Sequence, residues 1–271
     1  MAKGRSRSTW RGTQVSWAVR TLLAVCCSLA CLAGCQEDDD PWLARVQKAG
    51  VLRVGMDPSW PPFESVDPES GDLVGLDVDL ARAVAQKLGV EVAYVPSGWE
   101  GLYGALFAGQ FDAIISALPY DGWRTKEALY SISYLNAGPV IAAHAEEGTI
   151  VRTKDLAGRT VHVEYGAEGD VQARRLRRRV DGLTIAPHDT ARAALEAAAA
   201  DPNSAAIVDA VSARMFIREA PGLQIVGEPL YDELYVIAVH PRASSLQKAI
   251  DQALIEMRES GELDALLDRW L

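Results

Sequence analysis

The sequence predicts an α/β fold in which strands and helices alternate along the chain. Short apolar runs recur between segments whose apolar residues have helical spacing, and glycine closes several of those segments. The alternation continues from residue 51 to the end of the chain. Such alternation is typical of largely parallel sheets covered by helices.

The elements can be placed in order from residue 41. Helices are expected at 41–50, 76–88, 100–108, 170–179, 190–200, 211–219, 245–257 and 262–270. Strands are expected at 51–56, 90–95, 113–115, 140–143, 160–163, 183–186, 205–208, 223–226 and 234–239. Three prolines between Asp57 and Phe63 predict a stiff loop without regular structure.

The N-terminus is predicted to be a secretory signal rather than part of the fold. Five basic residues and no acid before Glu37 precede the apolar run Thr21 to Gly34, which is too short to span a bilayer. The sequence Leu32-Ala33-Gly34-Cys35 is similar to the lipobox of bacterial lipoproteins, where cleavage leaves a lipidated cysteine as the first residue. We expect a lipoprotein signal peptide over 1–34 and a tether over 35–41 that begins at lipidated Cys35. An uncleaved signal anchor is the alternative.

Processing there changes both the cysteine content and the charge. The other three cysteines lie within residues 1–34, so the 237 of 271 residues that remain hold only Cys35. We expect no disulfide, no metal site and no cofactor. The chain has 27 basic and 37 acidic residues, and losing five basic ones leaves 22 against 37, a net charge of −15. This charge disfavours nucleic acid as a partner, and we interpret the basic cluster Arg174 to Arg179 as a solvated helix face.

Two predicted strands end in polar residues, at Ser116 and at Asp209. In open α/β sheets, ligands bind beyond the carboxyl ends of the strands. Arg124 follows the first strand, and a guanidinium suits a carboxylate, whereas an aspartate suits an ammonium. Placed across a cleft, the two would hold a zwitterion between walls formed by Trp60 and Trp99.

Each of these residues has a structural alternative. Arg124 could form a surface salt bridge, Asp209 could cap the helix that follows it, and the two tryptophans could be core aromatics. Asp77 and Asp79 are predicted to supply charge at a helix N-terminus and to pack at the surface.

Several segments, in their order and spacing, resemble the bacterial extracellular solute-binding proteins of family 3, the receptors of polar amino-acid ABC transporters. The most specific segment is Gly75-Leu76-Asp77-Val78-Asp79-Leu80-Ala81-Arg82-Ala83-Val84-Ala85. The weaker matches are Leu52-Arg53-Val54-Gly55, Pro62-Phe63-Glu64, Gly109 to Ser116, Tyr130-Ser131, Tyr134, Asp155 to Gly158, Gly261-Glu262-Leu263 and Trp270. Together they span nearly all of residues 52–271.

The resemblance implies a two-lobed type II periplasmic-binding-protein fold with a hinge and an interlobe ligand cleft. Lobe 1 is then discontinuous, at 42–138 and 232–271, and lobe 2 covers 139–231, with hinge crossings near 136–141 and 229–235. It further implies an exported monomer, held by lipid at the bacterial membrane and facing the periplasm or the cell exterior. Its role would be to capture an amino acid or related amine and deliver it to a permease and its ATPase, without enzymatic activity.

The resemblance also assigns ligand-binding residues. Arg124 would bind the α-carboxylate, Asp209 the α-ammonium, and Asp57 the distal cation of a basic amino acid. Trp60, Trp99 and Ser116 would complete the site. Two positions depart from the family, because Pro119 and Ala167-Glu168 stand where family members usually have hydroxyl residues. Glu168 would repel a carboxylate, so either its side chain points elsewhere or it binds a further cationic group of the ligand. We expect an amino acid or related amine with extra positive charge, which fits Asp57, Glu168 and Asp209 better than a neutral amino acid does.

Two other functions stay open at this stage. Cyclohexadienyl dehydratases resemble these receptors, and Glu168 or Glu64 could supply the general acid that such an enzyme needs. A solute-sensing domain is the second alternative, disfavoured because no signalling module follows Leu271. The four histidines form no nucleophile or metal constellation, and His162 and His188 are predicted to stand alone.

Overall fold

Two separate five-stranded sheets, each covered by helices, carry the α/β fold. The computed structural model describes residue 1, residues 40–145 and residues 149–271. The predicted signal peptide, Cys35 and most of the tether lie outside the described residues.

The described helices and strands follow the predicted order closely. The helices are α1 Trp42–Ala49, α2 Leu76–Lys87, α3 Leu102–Phe107, α4 Glu168–Arg177, α5 Ala191–Ala200, α6 Ala210–Glu219, α7 Ser244–Glu259 and α8 Glu262–Trp270. The strands are β1 Val51–Met56, β2 Ser59–Trp60, β3 Glu64–Val66, β4 Leu73–Val74, β5 Glu91–Pro96, β6 Ala113–Ile114, β7 Leu129–Tyr130, β8 Leu135–Asn136, β9 Pro139–His144, β10 Thr160–Glu164, β11 Thr184–His188, β12 Ser204–Asp209, β13 Leu223–Val226, β14 Leu234–Tyr235 and β15 Ala238–Val239. The α/β prediction is confirmed.

The two sheets are mixed, which corrects the expectation of largely parallel sheets. The first has the order β5-β1-β6-β15-β7 and the second the order β11-β10-β12-β9-β13. In the first sheet β1 is parallel to β5 and β6, but β15 is antiparallel to β6 and β7. In the second sheet β10 is parallel to its neighbours, but β9 is antiparallel to β12 and β13. Strand β9 follows β8, and β15 follows β14, on the two segments that cross between the sheets. Each therefore begins beside the carboxyl end of a neighbouring strand, β12 or β6, and runs antiparallel to it.

The proline-rich segment after β1 also departs from prediction, because it contains short strands. Strands β2, β3 and β4 form a small antiparallel sheet in which Trp60 pairs with Glu64. Pro61 and Pro62 lie in the turn between β2 and β3, where the missing N–H groups disturb no ladder hydrogen bond.

The two crossing segments lie side by side as the antiparallel pair of β8 and β14. The Asn136 side chain joins them, since its Nδ2 donates to Asp232 Oδ1 at 2.8 Å and its Oδ1 accepts the Glu233 N–H at 3.1 Å. A Cβ atom at Gly138 would lie 1.8 Å from the Tyr231 carbonyl oxygen, so only glycine allows this close approach. The lobe boundaries themselves stay a prediction. Within residues 40–145 and 149–271, none of the helices is long and apolar enough to cross a bilayer.

Candidate functional site

A cavity of about 490 Å³ opens at the carboxyl end of β1, and we call it the tryptophan cavity. Its described lining residues are Asp57, Ser59, Trp60, Trp99, Ala117, Pro119, Glu233 and Tyr235. Trp60 is 59% exposed and Trp99 is 44% exposed. The two indole rings are therefore lining groups and not core aromatics, as the alternative reading had allowed. Such a cavity has the size of a small-molecule site.

Asp57 links the loops that carry the two tryptophans. Its Oδ1 accepts the Ser59 hydroxyl at 2.8 Å, and its Oδ2 accepts the Trp99 N–H at 2.9 Å. The Asp57 N–H donates to Ser116 Oγ at 3.0 Å. The carboxylate thus holds the cavity walls together and also presents negative charge to the cavity.

Arg124 lies in a second cavity of about 540 Å³, which shares Trp99 and Pro119 with the first. Its guanidinium lies over the Tyr103 ring, 4.7 Å from the centroid, a cation-π arrangement. Its Nη1 is 2.8 Å from Glu127 Oε2, and its Nε is 3.4 Å from Asp121 Oδ2. In this structure Arg124 therefore lines a cavity and forms surface ion pairs, whereas its contact with a ligand carboxylate stays a prediction.

The Ser116 hydroxyl does not reach the tryptophan cavity in this structure. The residue is fully buried, and its Oγ donates to Glu64 Oε1 at 2.7 Å. Glu64 is also fully buried and is absent from the described residues that line the two cavities, so it presents no acid there. The predicted contact between Ser116 and a ligand stays a prediction for its main chain alone.

Asp77 lies in the first turn of α2, as predicted, but the prediction that it packs at the surface is wrong, because the residue is fully buried. Its Oδ2 accepts the N–H of Ala117 and the hydroxyl of Tyr134, the latter at 3.0 Å. Asp79, two residues further along α2, contacts Trp270 Nε1 at 3.0 Å and a surface arginine. Asp77 thus supports a cavity-lining residue from below, whereas Asp79 packs near the surface as predicted.

Burial dominates the acid–base properties of this carboxyl pair. Burial, followed by the charge of Asp77, raises the pKa of Glu64 to about 10. Burial also raises the pKa of Asp77 to about 6, against the hydrogen bonds from Ala117 and Tyr134 that favour its ionised form. Burial therefore favours the protonated form of each carboxyl group and opposes two negative charges at this position.

The second sheet brings Asp209 and Glu168 to its own strand ends. Asp209 caps α6, where its Oδ1 accepts the Ser212 N–H at 2.8 Å, so the predicted capping role is confirmed. Glu168 begins α4, and its Oε1 accepts from Gln172 Nε2 at 2.6 Å. The described residues that line the two cavities include neither Asp209 nor Glu168.

Glu233, which the sequence analysis missed, connects these acids to the tryptophan cavity. It lies on the second crossing segment and lines the cavity. Burial, and then the charges of Asp209 and Glu168, raise its pKa. The available signal was position, since a polar residue inside the predicted crossing 229–235 has to lie beside the cleft. Negative charge therefore extends from Asp57 across Glu233 to the second sheet.

The histidines correct one further expectation. His162 and His188 do not stand alone, because His162 Nδ1 lies 2.9 Å from His188 Nε2 on neighbouring strands. The part of the chain that the structure describes contains no group of three or more His, Cys, Asp or Glu side chains arranged to hold a metal ion.

Comparison with known proteins identifies a family that covers most of the chain. The family described as bacterial extracellular solute-binding proteins, family 3, matches residues 52–271. The L-cystine-binding protein TcyJ of Escherichia coli (strain K12) is 28% identical over 234 residues, which cover 86% of this chain and 86% of TcyJ. The cyclohexadienyl dehydratase of Pseudomonas aeruginosa is 29% identical over 252 residues, covering 90% of this chain and 92% of the dehydratase. The solved structure of an ancestral cationic amino acid solute binding protein is similar with a TM-score of 0.62 at 28% identity, covering 84% of this chain and 98% of that one.

Proposed function

The chain belongs to the bacterial extracellular solute-binding proteins, family 3, and from that premise we propose that it is the receptor of an ABC importer for an amino acid with a cationic side chain. The receptor captures its ligand between the two lobes and delivers it to a permease and its ATPase. The similar proteins include one named for cystine and one for cationic amino acids, and the charges of this chain favour the second.

One observation carries the choice of ligand. Among the described residues that line the tryptophan cavity, the charged side chains are the carboxylates of Asp57 and Glu233. Two exposed indole rings line the same cavity. Indole faces attract cations, and carboxylates attract them more strongly. A guanidinium or ammonium between Trp60 and Trp99 satisfies both kinds of group. The side-chain carboxylate of an acidic amino acid would be repelled by Asp57 and Glu233.

The other end of the ligand would lie at Arg124 in the adjoining cavity. Its guanidinium exchanges the surface carboxylate of Glu127 for the α-carboxylate of the ligand, which it can bind through two hydrogen bonds. Closure of the lobes about the crossing segments then brings Asp209 to the α-ammonium. The Asp209 carboxylate keeps one oxygen on its helix cap and has its other oxygen for the ligand.

A thermal-shift screen tests this proposal directly, because a ligand that binds only the folded state raises the apparent stability. We expect L-arginine, L-lysine or L-ornithine to raise the melting temperature more than L-glutamine or L-cystine does. D-arginine is the matched control, since it has the same charges with the α-groups misplaced. A shift with L-glutamate alone would contradict the proposal.

A dehydratase is the second candidate, favoured by the similarity to the enzyme of Pseudomonas aeruginosa. Such an enzyme needs an acid at the leaving hydroxyl of its substrate. Of the two candidates from the sequence, Glu64 is fully buried, and Glu168 accepts a hydrogen bond from Gln172 on its own helix. Incubation with prephenate, followed by a spectrophotometric assay, separates the two functions. Formation of product would favour the enzyme.

The location of the receptor is part of the same proposal. Cleavage before Cys35 and lipidation of its sulfur and amine would hold the protein at the membrane while the domain faces the periplasm or the cell exterior. We expect the Cys35→Ser variant to leave the membrane fraction for the soluble extracellular or periplasmic fraction. A wild-type protein that is already soluble there would contradict the anchor.

A further inference from the structure

The fully buried carboxyl groups of Glu64 and Asp77 lie beneath the tryptophan cavity and do not line it. Glu64 begins strand β3, and Asp77 lies in the first turn of α2. The Asp77 N–H donates at 2.9 Å to the carbonyl oxygen of Phe63, the residue before Glu64, and each carboxyl group influences the pKa of the other. Buried acids are costly unless every oxygen has a hydrogen-bond partner, so their partners define what the pair does.

One oxygen of each carboxyl group holds a residue of the cavity wall. Glu64 Oε1 accepts the Ser116 hydroxyl at 2.7 Å, and Ser116 Oγ in turn accepts the Asp57 N–H at 3.0 Å. Asp77 Oδ2 accepts the Ala117 N–H directly. Asp57 and Ala117 both line the cavity. Hydrogen bonds from the wall residues therefore end on the buried pair, through Ser116 for Asp57 and directly for Ala117.

Ala117 needs this support, because its φ of +40° lies in the left-handed region. A residue with a Cβ atom rarely adopts that conformation, and it persists only where the surroundings impose it. The hydrogen bond from the Ala117 N–H to Asp77 helps to hold it, together with the hydrogen bond from the Val236 N–H to the carbonyl oxygen of Leu118. We call residues Ser116–Pro119 the ligand loop.

The remaining two oxygens, Glu64 Oε2 and Asp77 Oδ1, are buried and accept no hydrogen bond from any N–H or O–H group of the described residues. The titratable groups whose charge or hydrogen bonds act on the pair are Asp57, Tyr134 and Tyr235, and none of them is a cation. Two facing carboxylates without a cation would repel each other in a medium of low dielectric constant. One proton between the two oxygens removes the repulsion and satisfies both.

We propose that Glu64 is a neutral carboxylic acid that donates from Oε2 to Asp77 Oδ1, and that this shared proton makes the two acids positioning residues for the ligand loop. The direction in which burial shifts the pKa of Glu64, upward, agrees with this assignment. The inference rests on the proposed function only in its effect on ligand binding. The protonation state and the loop conformation stand without it.

Infrared difference spectroscopy between the wild-type protein and E64Q tests the protonation state without any ligand. We expect the wild type to contribute the C=O band of a neutral carboxylic acid at neutral pH, which E64Q lacks. A band of an ionised carboxylate at Glu64 would overturn the proposal.

Amide hydrogen exchange at Ala117 tests the positioning role. Glutamine can keep both bonds of Glu64, because its N–H donates to Asp77 and its oxygen accepts from Ser116, whereas alanine keeps neither. We expect E64A to speed exchange of the Ala117 N–H by at least about tenfold and to weaken L-arginine binding by about tenfold, the loss of one hydrogen bond to a charged group. E64Q restores both quantities to within about threefold of wild type.

Two further variants keep the test decisive. D79N changes the neighbouring acid of the same helix and leaves both readouts unchanged, which excludes a general effect on α2. Y134F removes one donor to Asp77 and also speeds exchange at Ala117, so it replaces E64A if E64A does not fold. An E64Q protein that behaves like E64A would overturn the shared proton. A wild type that fails to bind L-arginine refutes the proposed ligand, while the infrared band and the exchange rates still decide this inference.

Discussion

The two sheets present their strand ends to the cleft with acidic residues in opposite settings. In the first sheet, Asp77 and Glu64 lie fully buried beneath the ligand loop and hold it through hydrogen bonds. In the second, Asp209 and Glu168 lie at the first turns of α6 and α4 and accept hydrogen bonds from their own helices. The first pair holds the ligand loop in place, and the second pair contributes negative charge near Glu233.

This difference teaches how one residue type can serve stability and recognition in the same cleft. A buried carboxyl stabilises the fold only through its partners, so its removal leaves other polar groups unsatisfied. A carboxyl near solvent keeps its hydration and acts mainly through charge. The two kinds of acid should therefore respond to mutation in different measurements.

The largest expected effect is on stability, at Asp77. Asp77→Ala leaves the Ala117 N–H and the Tyr134 hydroxyl without their acceptor, and we expect the free energy of unfolding to fall by about 3–5 kcal/mol. Asp79→Ala is the matched control, with an expected loss of about 1 kcal/mol. Urea unfolding measures both. Equal losses of stability for the two variants would contradict the distinction between a buried acid and one near the surface.

Arg124 should affect binding without affecting stability. Its ion pairs with Glu127 and Asp121 are exposed, so we expect Arg124→Ala to change the free energy of unfolding by less than about 0.5 kcal/mol. Without the guanidinium that would bind the ligand α-carboxylate, the Kd for L-arginine should rise about 100-fold, a loss of about 2.7 kcal/mol in binding free energy. Calorimetry measures the second quantity, with Arg82→Ala on the surface of α2 as the control. Unchanged affinity would exclude Arg124 from the site.

The buried pair also predicts a pH dependence of stability. The folded protein holds a proton on Glu64 that the unfolded chain releases above the ordinary pKa of 4.5, so the stability falls as the pH rises towards the folded pKa of about 10. Between about pH 7 and about pH 9, wild type should lose up to about 1.4 kcal/mol per pH unit relative to Glu64→Gln. Parallel urea titrations of the two proteins measure it. A constant difference would mean that Glu64 is ionised in the folded state.

The smallest expected effect is at Glu233, which supplies charge to the tryptophan cavity. Glu233→Gln should raise the Kd for L-arginine about tenfold and that for L-glutamine less than about threefold, because only the first ligand has a distal cation. Glu228→Gln, at an exposed acid just before the same crossing segment, is the control. Calorimetry with both ligands checks the ratio. An equal loss for the two amino acids would place Glu233 outside the cation site.

The fold followed from sequence wherever local signals decided it. The α8 helix after Gly261 and the cap of α6 by Asp209 lie where they were predicted, because helical spacing and capping are local properties. The antiparallel direction of β9 and β15 did not follow, since it depends on how the crossing segments return between the lobes. Short-range pattern does not encode that path.

The site was less predictable, because burial of an acid is a tertiary property. Asp77 precedes Leu80 by three positions and Ala81 by four, so helical spacing places it on the apolar face of α2. That signal was present, but its charge favoured a surface interpretation. The partner that makes its burial possible, Glu64, lies on a different element and becomes visible only in the fold.

The measurement that tests the central claim most directly is calorimetric titration of the wild-type protein with L-arginine and with L-glutamate. The tryptophan cavity offers carboxylates and indole faces, so we predict binding of L-arginine with a Kd of about 1 μM or below and no measurable binding of L-glutamate. Binding of L-glutamate without binding of L-arginine would contradict a receptor for cationic amino acids.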